Sequence, residues 1–439
     1  MFGLLYRNKP AADQAAKEIA EICSKLNPVE IVTPTNLLSA KESWLAKTAH
    51  VGVSTEKTFT NPHFEYNEAL LSNITKMAAP LERARMELDS NINLTSCSIE
   101  GSVVFELLSQ RIADAKLTIE LAASILSKND GNSKAILQKK YGRLNSSLVV
   151  AAYDGVNQKS PKKPFDSPRI ITGTEVAALK NKKFNAKEIA YYFGIALAEY
   201  GFDDWSCEIS DTASAIDVRD RGSSGSQKII IPARRHVNGI ELLKLIGHEI
   251  ECHLRSSVNS QFLFKKLVHE VSPLYPLIGL LAKSDDETLY EGAAKLSDVI
   301  IQGNLTGRCE DAAPTPLYTI AIDQACRGSS FGETAEVICG LASYRHDSAD
   351  WDASIKKAWN ITYRAYRGIT DTDSKSYYAF PKDASYFAGY LIAKDMPKVF
   401  TDFSSLTFGN ILLLQQAGIP LEPHVPFQDI AMQVVFPLL

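Results

Sequence analysis

The chain has 439 residues, of which 22% are charged and 45% are hydrophobic, as in ordinary globular proteins rather than disordered or fibrous ones. Lys and Arg number 47 against 51 Asp and Glu, so the net charge of -4 lacks the basic excess that nucleic-acid binding needs. The longest apolar stretches fall short of the roughly 20 residues that span a bilayer, and the N-terminus does not read as a signal peptide. We therefore expect neither a nucleic-acid partner nor a membrane partner.

The cysteines indicate the cellular compartment of the protein, and the chain length indicates its number of domains. Seven cysteines without a Cys-x-x-Cys pair argue against a disulfide framework and suit a reducing cytoplasm. The chain is longer than the ~250–300 residues at which a single core stops growing, so two domains, or one domain with a helical extension, are expected. The polar, Pro- and Lys-rich segment from Asn157 to Arg169 marks the boundary. It predicts a helical N-terminal region over 1–160 and a domain that carries the chemistry over 161–439.

The predicted elements indicate an α+β fold. Helical periodicity dominates from Ala11 to about Lys128, and it returns from Asn238 onwards. Between these regions, candidate strands begin at Trp205, Ser214 and Gln227, and we expect an antiparallel meander. The last strand is either internal or an edge that could receive an extended peptide. The fold class predicted is therefore mostly helical, with a small antiparallel sheet leading into a zincin-type helix.

The segment HEIECH, from His248 to His253, resembles the HExxH helix of zincins but contains one residue more. On a regular α-helix an i+5 partner is offset by about 140°, against about 40° for i+4, so one ion cannot take both imidazoles. A π-type widening between Glu249 and His253 would absorb the extra residue. Cys252, already at i+4, is the alternative ligand, although a small buried thiol would fill this position equally well.

A catalytic zinc ion keeps three protein ligands and an open position. The candidate third ligand is Glu291, in the predicted helix DDETLYEGAAKLSD, and Glu287, one turn earlier, is the competing choice. The small residues that follow Glu291 would let its helix approach the histidine helix closely. Glu249 would be the general base that takes a proton from zinc-bound water. The pattern predicts hydrolysis of an amide bond by a gluzincin-like HExxxH metallopeptidase, unless the two histidines simply have ordinary structural partners.

Several motifs in the same order resemble those of the microtubule-associated tyrosine carboxypeptidases and their bacterial QEGLA-motif relatives. They are TPTN, NPHFEY, HEIECH followed by Asn259, YEGAA, RAYRG from Arg364 and KDASYFAG from Lys382. The resemblance spans most of the chain and implies Glu291 as third ligand, whereas Tyr290 departs from the Gln of QEGLA. It implies a metallocarboxypeptidase that removes a C-terminal residue from a peptide or protein, tyrosine of α-tubulin being the substrate of the eukaryotic members.

A carboxypeptidase needs a cation to hold the terminal carboxylate, and the planar fork of Arg does this best. We predict that Arg364, Arg367 and Lys382 have this role, unless they are solvent-facing charges. The alternatives are Arg255 and the pair Arg234 and Arg235. Tyr386 would donate to the developing oxyanion, or else it packs as a core tyrosine.

Two rival functions remain open at this stage. A serine hydrolase is suggested by GSSFG around Ser330, with Asp371 and His424 following in order, although the segment before it can equally be a helix. A non-catalytic regulator would contain no zinc or a structural zinc. The presence of Glu249 beside the ligands favours an enzyme, because a structural site needs no general base. A structural site would also need a fourth ligand, for which Cys252 is the nearby candidate.

Overall fold

A computed structural model describes residues 5–49, 59–93, 99–157, 173–211, 213, 215–219, 227–255, 257–258, 277, 287–306, 316–345, 351–373, 377 and 379–393. The α-helices in these ranges are Lys9–Ser24, Pro28–Val32, Leu37–Ala49, Glu68–Thr75, Ala78–Asn91, Ile99–Leu126, Asp130–Tyr141, Ser146–Asn157, Gly173–Asn181, Ala186–Glu199, Gly239–Leu245, Glu287–Thr306, Leu317–Cys326, Phe331–Arg345, Trp351–Ala365 and Ala384–Ala393. A π-helix spans Ile246–Leu254, and a 3₁₀ helix spans Pro381–Asp383.

Seven short strands complete the described part of the chain. They are β1 (Leu5–Tyr6), β2 (Ile92–Asn93), β3 (Lys183–Asn185), β4 (Trp205–Ser210), β5 (Asp217–Arg219), β6 (Gln227–Pro232) and β7 (His236–Asn238). Two antiparallel pairs, β1 with β2 and β3 with β7, accompany one three-stranded sheet. The predicted α+β class, mostly helical with little sheet, is confirmed.

The predicted meander is wrong in its strand order. The sheet has the order β4-β6-β5, in which β6 pairs parallel to β4 and antiparallel to β5. The last four residues of the central strand β6 are all buried, so both of its faces are covered. In β4 only Trp205 is buried, and the other residues are partly or fully exposed, which suits an edge strand. The interpretation of β6 as an internal strand therefore holds, and its use as a peptide-binding edge does not.

The chain passes from the sheet into the histidine helix through a capping box. The Asn238 side chain accepts a hydrogen bond from the Glu241 backbone N–H at 2.9 Å, and the Glu241 carboxylate accepts from the Asn238 N–H at 2.9 Å. Such reciprocal bonds satisfy two backbone donors that a helix start leaves without partners. The helix begins at Gly239 and widens into the π-helix at Ile246. The widening expected between Glu249 and His253 is thus present, over nine residues.

Two apolar clusters organise the described residues. The first joins the helices before residue 157 with those between 317 and 387, and Trp44, Phe331 and Trp359 lie at its centre. The second packs the sheet and the helix over 186–199 against Ile250 and Leu254 of the π-helix. The predicted boundary at residue 160 lies outside the described residues and stays a prediction. Among the described helices, none is both long and apolar enough to cross a membrane.

The helix Glu287–Thr306 lies between the π-helix and the helix Ala384–Ala393. A Cβ atom placed on Gly292 would lie 2.2 Å from the carbonyl carbon of Gly389, so the two backbones are in direct contact there. We expected the small residues after Glu291 to face the histidine helix. Instead, Gly292 faces Ala384–Ala393, because consecutive residues on a helix point about 100° apart and so meet different neighbours.

Candidate metal centre

The structure brings His248, His253 and Glu291 together in one buried group. In a π-helix the backbone hydrogen bonds run from residue i to i+5, so residues five apart lie one above the other. The two imidazole rings accordingly lie 4.8 Å apart between centroids. The helix Glu287–Thr306 adds Glu291 Oε2 at 3.7 Å from His253 Nε2 and 4.0 Å from His248 Nε2. The π-helix thus brings two histidines that are five residues apart into one compact three-donor group with Glu291.

These donors fit a divalent transition-metal ion. One donor atom from each of the three residues lies within 4.8 Å of the others. Ligands about 2.0–2.1 Å from a shared tetrahedral ion would be roughly 3.4 Å apart, so a small contraction brings them into place. Two imidazoles and one carboxylate are a common donor set of catalytic zinc sites. Cys252 is not part of this group, and the Glu287 side chain lies outside the described part of the structure.

Asp298 is a member of the site that the sequence interpretation missed. Its Oδ2 lies 3.4 Å from His248 Nδ1 and 2.8 Å from Lys295 Nζ. A carboxylate on the far nitrogen of a ligand histidine fixes the ring and leaves Nε2 to face the metal. Asp298 follows Glu291 by seven residues, which is two helical turns, so both carboxylates lie on one helix face. That spacing was the signal by which Asp298 could have been found.

The electrostatics give His253 and Asp298 the protonation states that a metal site needs. Burial, together with the neighbouring His248 and Lys382, lowers the pKa of His253 well below its ordinary value, so its imidazole is neutral. Burial and Lys295 lower the pKa of His248, but contact with Asp298 outweighs them and leaves it raised. Although burial raises the pKa of Asp298, Lys295 and His248 lower it below its ordinary value. Asp298 is therefore an anion that can hold the His248 N–H.

Glu249 is buried beside this group without being one of its three donors. Burial raises the pKa of Glu249, and the nearby Glu291 raises it further against the opposing effect of His248, to about 7. A carboxylate whose pKa lies near neutrality is suited to accept and return a proton. The predicted position of the general base next to a ligand is thus compatible with the environment that the structure gives it.

Three predicted substrate cations lie on one side of the group. Lys382 Nζ lies 3.9 Å from Glu291 Oε1. Arg364 and Arg367 converge on Asp383 Oδ2 at 3.4 and 3.8 Å. Their side chains are 30% and 8% exposed, so the alternative interpretation as solvent-facing charges does not describe them. Asp383, which the sequence interpretation did not single out, is a carboxylate partner of both guanidinium groups.

Tyrosine rings line the same side. The Arg364 guanidinium lies 5.2 Å from the centroid of the Tyr318 ring, and Tyr318 lies 6.4 Å from Tyr386. Lys295 Nζ lies 5.6 Å from the Tyr386 ring. Burial, followed by the charges of Glu291 and Asp383, raises the pKa of Tyr386 well above its ordinary value. Its hydroxyl therefore stays protonated near the carboxylate of the metal group.

The alternative cations occupy other positions. Arg255 follows the π-helix, and its guanidinium lies 5.2 Å from the ring of Tyr200, a residue that packs against the second apolar cluster. Arg234 and Arg235 are exposed between β6 and β7. Lys382, by contrast, forms an ion pair with Glu291 of the three-donor group.

Ser330 has a structural role in the described part of the chain. The segment before it is the helix Leu317–Cys326, whereas a nucleophile elbow needs a strand there. Ser330 begins the next helix: its Oγ accepts from the Glu333 N–H at 3.3 Å, and its N–H donates to Glu333 Oε2 at 2.7 Å. His424 lies outside the described residues. The motif GSSFG is here a helix start.

Replacing Ser330 by Ala should therefore lower stability and spare catalysis. Loss of an N-cap hydroxyl costs about 1 kcal/mol. Urea unfolding should show that loss, while release of a terminal amino acid from a peptide continues at the wild-type rate. Complete inactivation of folded Ser330→Ala would instead restore the serine hydrolase interpretation.

No curated protein was found to match the chain. A family model, that of the microtubule-associated tyrosine carboxypeptidases, matches residues 54–411. The matched range contains the histidine pair, Glu291, the arginine pair and Lys382. The chain therefore belongs to the microtubule-associated tyrosine carboxypeptidase family.

Proposed function

We propose that the protein is a zinc-dependent metallocarboxypeptidase that removes a tyrosine-like residue from the C-terminus of a peptide or protein. The observation that carries the proposal is the buried group of His248, His253 and Glu291 beside the buried carboxylate of Glu249. Membership of the family supports the reaction class. The protein would act in the cytoplasm, in keeping with the cysteines of the described residues, which form no disulfide.

The residues that would hold Zn²⁺ are the two histidines through Nε2 and Glu291 through its carboxylate. When bound, the ion would polarise the scissile carbonyl and make water more acidic. Glu249 would take the proton of the attacking water and deliver it to the leaving amine. Asp298 would keep the His248 ring oriented through Nδ1. Tyr386 would donate a hydrogen bond to the oxygen on which negative charge develops.

The cationic side of the site would bind the terminal carboxylate. Arg364 and Arg367 both contact the carboxylate of Asp383, so their two guanidinium groups lie close together. Lys382 lies next to Glu291 and would bring that carboxylate close to the metal group. A terminal carboxylate would pair with a planar guanidinium group through two parallel N–H···O bonds. The Tyr318 ring beside Arg364 would give an aromatic terminal side chain an apolar contact.

The proposal is tested first by the metal content. Elemental analysis of the purified protein should find about one zinc ion per chain, and Glu291→Ala should lose it because two imidazoles alone bind weakly. Cys252→Ala is the matched control, since it removes a buried side chain from the same site without touching the three-donor group. It should keep its zinc and its activity.

Release of tyrosine from a peptide that ends in tyrosine should accompany the bound zinc and disappear with Glu291→Ala. Loss of zinc from Cys252→Ala would show that the thiolate is a ligand. A wild-type protein without metal would overturn the zinc centre. A wild-type protein that binds zinc but releases no terminal residue from a broad peptide panel would overturn the peptidase and favour the regulator.

A further inference from the structure

Residues 59–66, which include the NPHFEY motif, form an extended segment that we call the strap. The strap lies antiparallel to residues 368–373, directly after the arginine pair. From its start, Asn61 Nδ2 donates to Asp373 Oδ1 at 2.6 Å, Pro62 accepts from the hydroxyl of Thr372, and the Phe64 N–H donates to the Thr370 carbonyl at 3.3 Å. His63 and Asp371 form a bridge between them. Successive residues of the strap, from Asn61 to Phe64, therefore pair with residues that run in the opposite direction, from Asp373 to Thr370.

The strap is itself held from its other side. The Thr35 N–H donates to the Glu65 carbonyl at 2.8 Å, and the Glu65 N–H donates to Asn36 Oδ1 at 3.0 Å. Asn61 Oδ1 accepts from the Gly332 N–H at 2.7 Å. The TPTN and NPHFEY motifs therefore form one hydrogen-bonded unit, which packs against the turn that follows Arg367. Neither motif has a part in the proposed chemistry.

The strap ends on the backbone of that turn. Tyr66 donates its hydroxyl hydrogen to the Ile369 carbonyl at 2.9 Å, and the same oxygen accepts from the Gly368 N–H at 2.8 Å. Desolvation raises the pKa of Tyr66, so the hydroxyl remains a donor. Gly368 has φ of +87°, where the chain reverses. One hydroxyl thus satisfies two backbone groups of an irregular turn.

Arg367 depends on this contact more than Arg364 does. Arg364 is in the last turn of the helix Trp351–Ala365, whose own hydrogen bonds position it. Arg367 follows the helix end, and the next peptide unit is the one that Tyr66 holds. Its guanidinium reaches the Tyr363 hydroxyl at 3.2 Å and Asp383 at 3.8 Å. A shift of the Gly368 peptide would therefore move the Arg367 fork relative to a bound carboxylate.

We propose that Tyr66 is a positioning residue for Arg367, through which the strap sets the affinity for the terminal carboxylate of the substrate. This inference rests on the proposed carboxypeptidase function. It assigns a part in substrate recognition to a segment about 300 residues away in sequence. The chemistry of the peptide bond itself does not involve the strap.

The test measures affinity rather than turnover. Zinc-loaded Glu249→Gln protein, which should not hydrolyse peptides, is titrated calorimetrically with a peptide that ends in free tyrosine and with its C-terminal amide. The parent should prefer the free acid. Adding Tyr66→Phe should cut that preference roughly three- to tenfold, the effect of weakening one hydrogen bond between Arg367 and the terminal carboxylate, with the affinity for the amide unchanged. Zinc content should be equal in all samples.

Tyr153→Phe is the matched control. Tyr153 is also a half-buried tyrosine of the first apolar cluster, and its hydroxyl accepts from Gln324 Nε2 at 3.0 Å, away from the arginine turn. It should keep the full preference for the free acid. If Tyr153→Phe lost as much of the free-acid preference, or if Tyr66→Phe lost none, the role of the strap would be overturned. The proposed function would be unaffected. No preference in the parent would instead overturn the carboxylate site of the proposed function.

A second variant covers failure of Tyr66→Phe to fold. Asn61 is exposed, so Asn61→Ala removes two strap hydrogen bonds without changing the core. Like Tyr66→Phe, it should lower the preference for the free acid. Folded Asn61→Ala with the parent's preference would then overturn the inference.

Discussion

Glu249→Gln should reduce kcat for release of a terminal tyrosine by about 10²- to 10⁴-fold, the usual contribution of a general base. Glutamine has nearly the same shape but cannot accept the proton of the attacking water. Because Glu249 is not among the three donors, zinc content should stay at the wild-type level. Initial rates on a tyrosine-terminated peptide, with elemental analysis of the same sample, measure both quantities.

Glu120→Gln provides the control for this variant. It makes the same chemical change on the exposed face of the helix Ile99–Leu126 and should leave kcat unchanged. Near-normal turnover by zinc-loaded Glu249→Gln would show that another group takes the proton. Loss of zinc together with activity would place Glu249 among the ligands.

Gly292→Ala should be strongly destabilising. The new methyl group would lie 2.2 Å from the Gly389 carbonyl carbon. The backbone fixes the position of a Cβ atom, and the carbonyl carbon is itself backbone, so neither can rotate away. The two helices must separate, at a cost of roughly 1–3 kcal/mol or more in the free energy of unfolding. Because Glu291 is the preceding residue, zinc occupancy should fall as well. Urea unfolding and elemental analysis provide the two measurements.

Gly194→Ala is the matched control for Gly292→Ala. Gly194 also lies within a helix, Ala186–Glu199, but no atom outside its own helix backbone lies within 4 Å of its added Cβ. Removal of a helix-interior glycine there should raise stability by up to about 1 kcal/mol. If the two variants changed stability equally and in the same direction, the close contact between Gly292 and Gly389 would be refuted.

The histidine helix was predictable because its constraints are local. The separation of His248 and His253 by five residues, taken with the geometry of a regular helix, required a widening, and the π-helix supplies it. Glu291 was a candidate because it lies in a predicted acidic helix with small neighbours, and the YEGAA motif that contains it resembles the QEGLA motif of the family. The polar partners Asp298 and Asp383 were missed because their importance depends on which charges the fold brings opposite them.

The strand order was unpredictable for a related reason. Periodicity located β4, β5 and β6 closely, but it says nothing about which strand is central. That choice depends on burial on both faces of β6 by the helices packed around it. Likewise, Gly292 was noticed as a small residue, whereas its true neighbour, Gly389, lies in a distant motif.

The strap also has a consequence for the order of events during synthesis. Asn61 and its partner Asp373 are 312 residues apart. At about 5–20 residues per second, a ribosome completes the second partner roughly 15 to 60 s after the first. During that time the apolar helices before residue 157 lack the later helices that share their cluster. Nascent chains of this protein should therefore need protection from aggregation until the arginine turn has emerged and joined the strap.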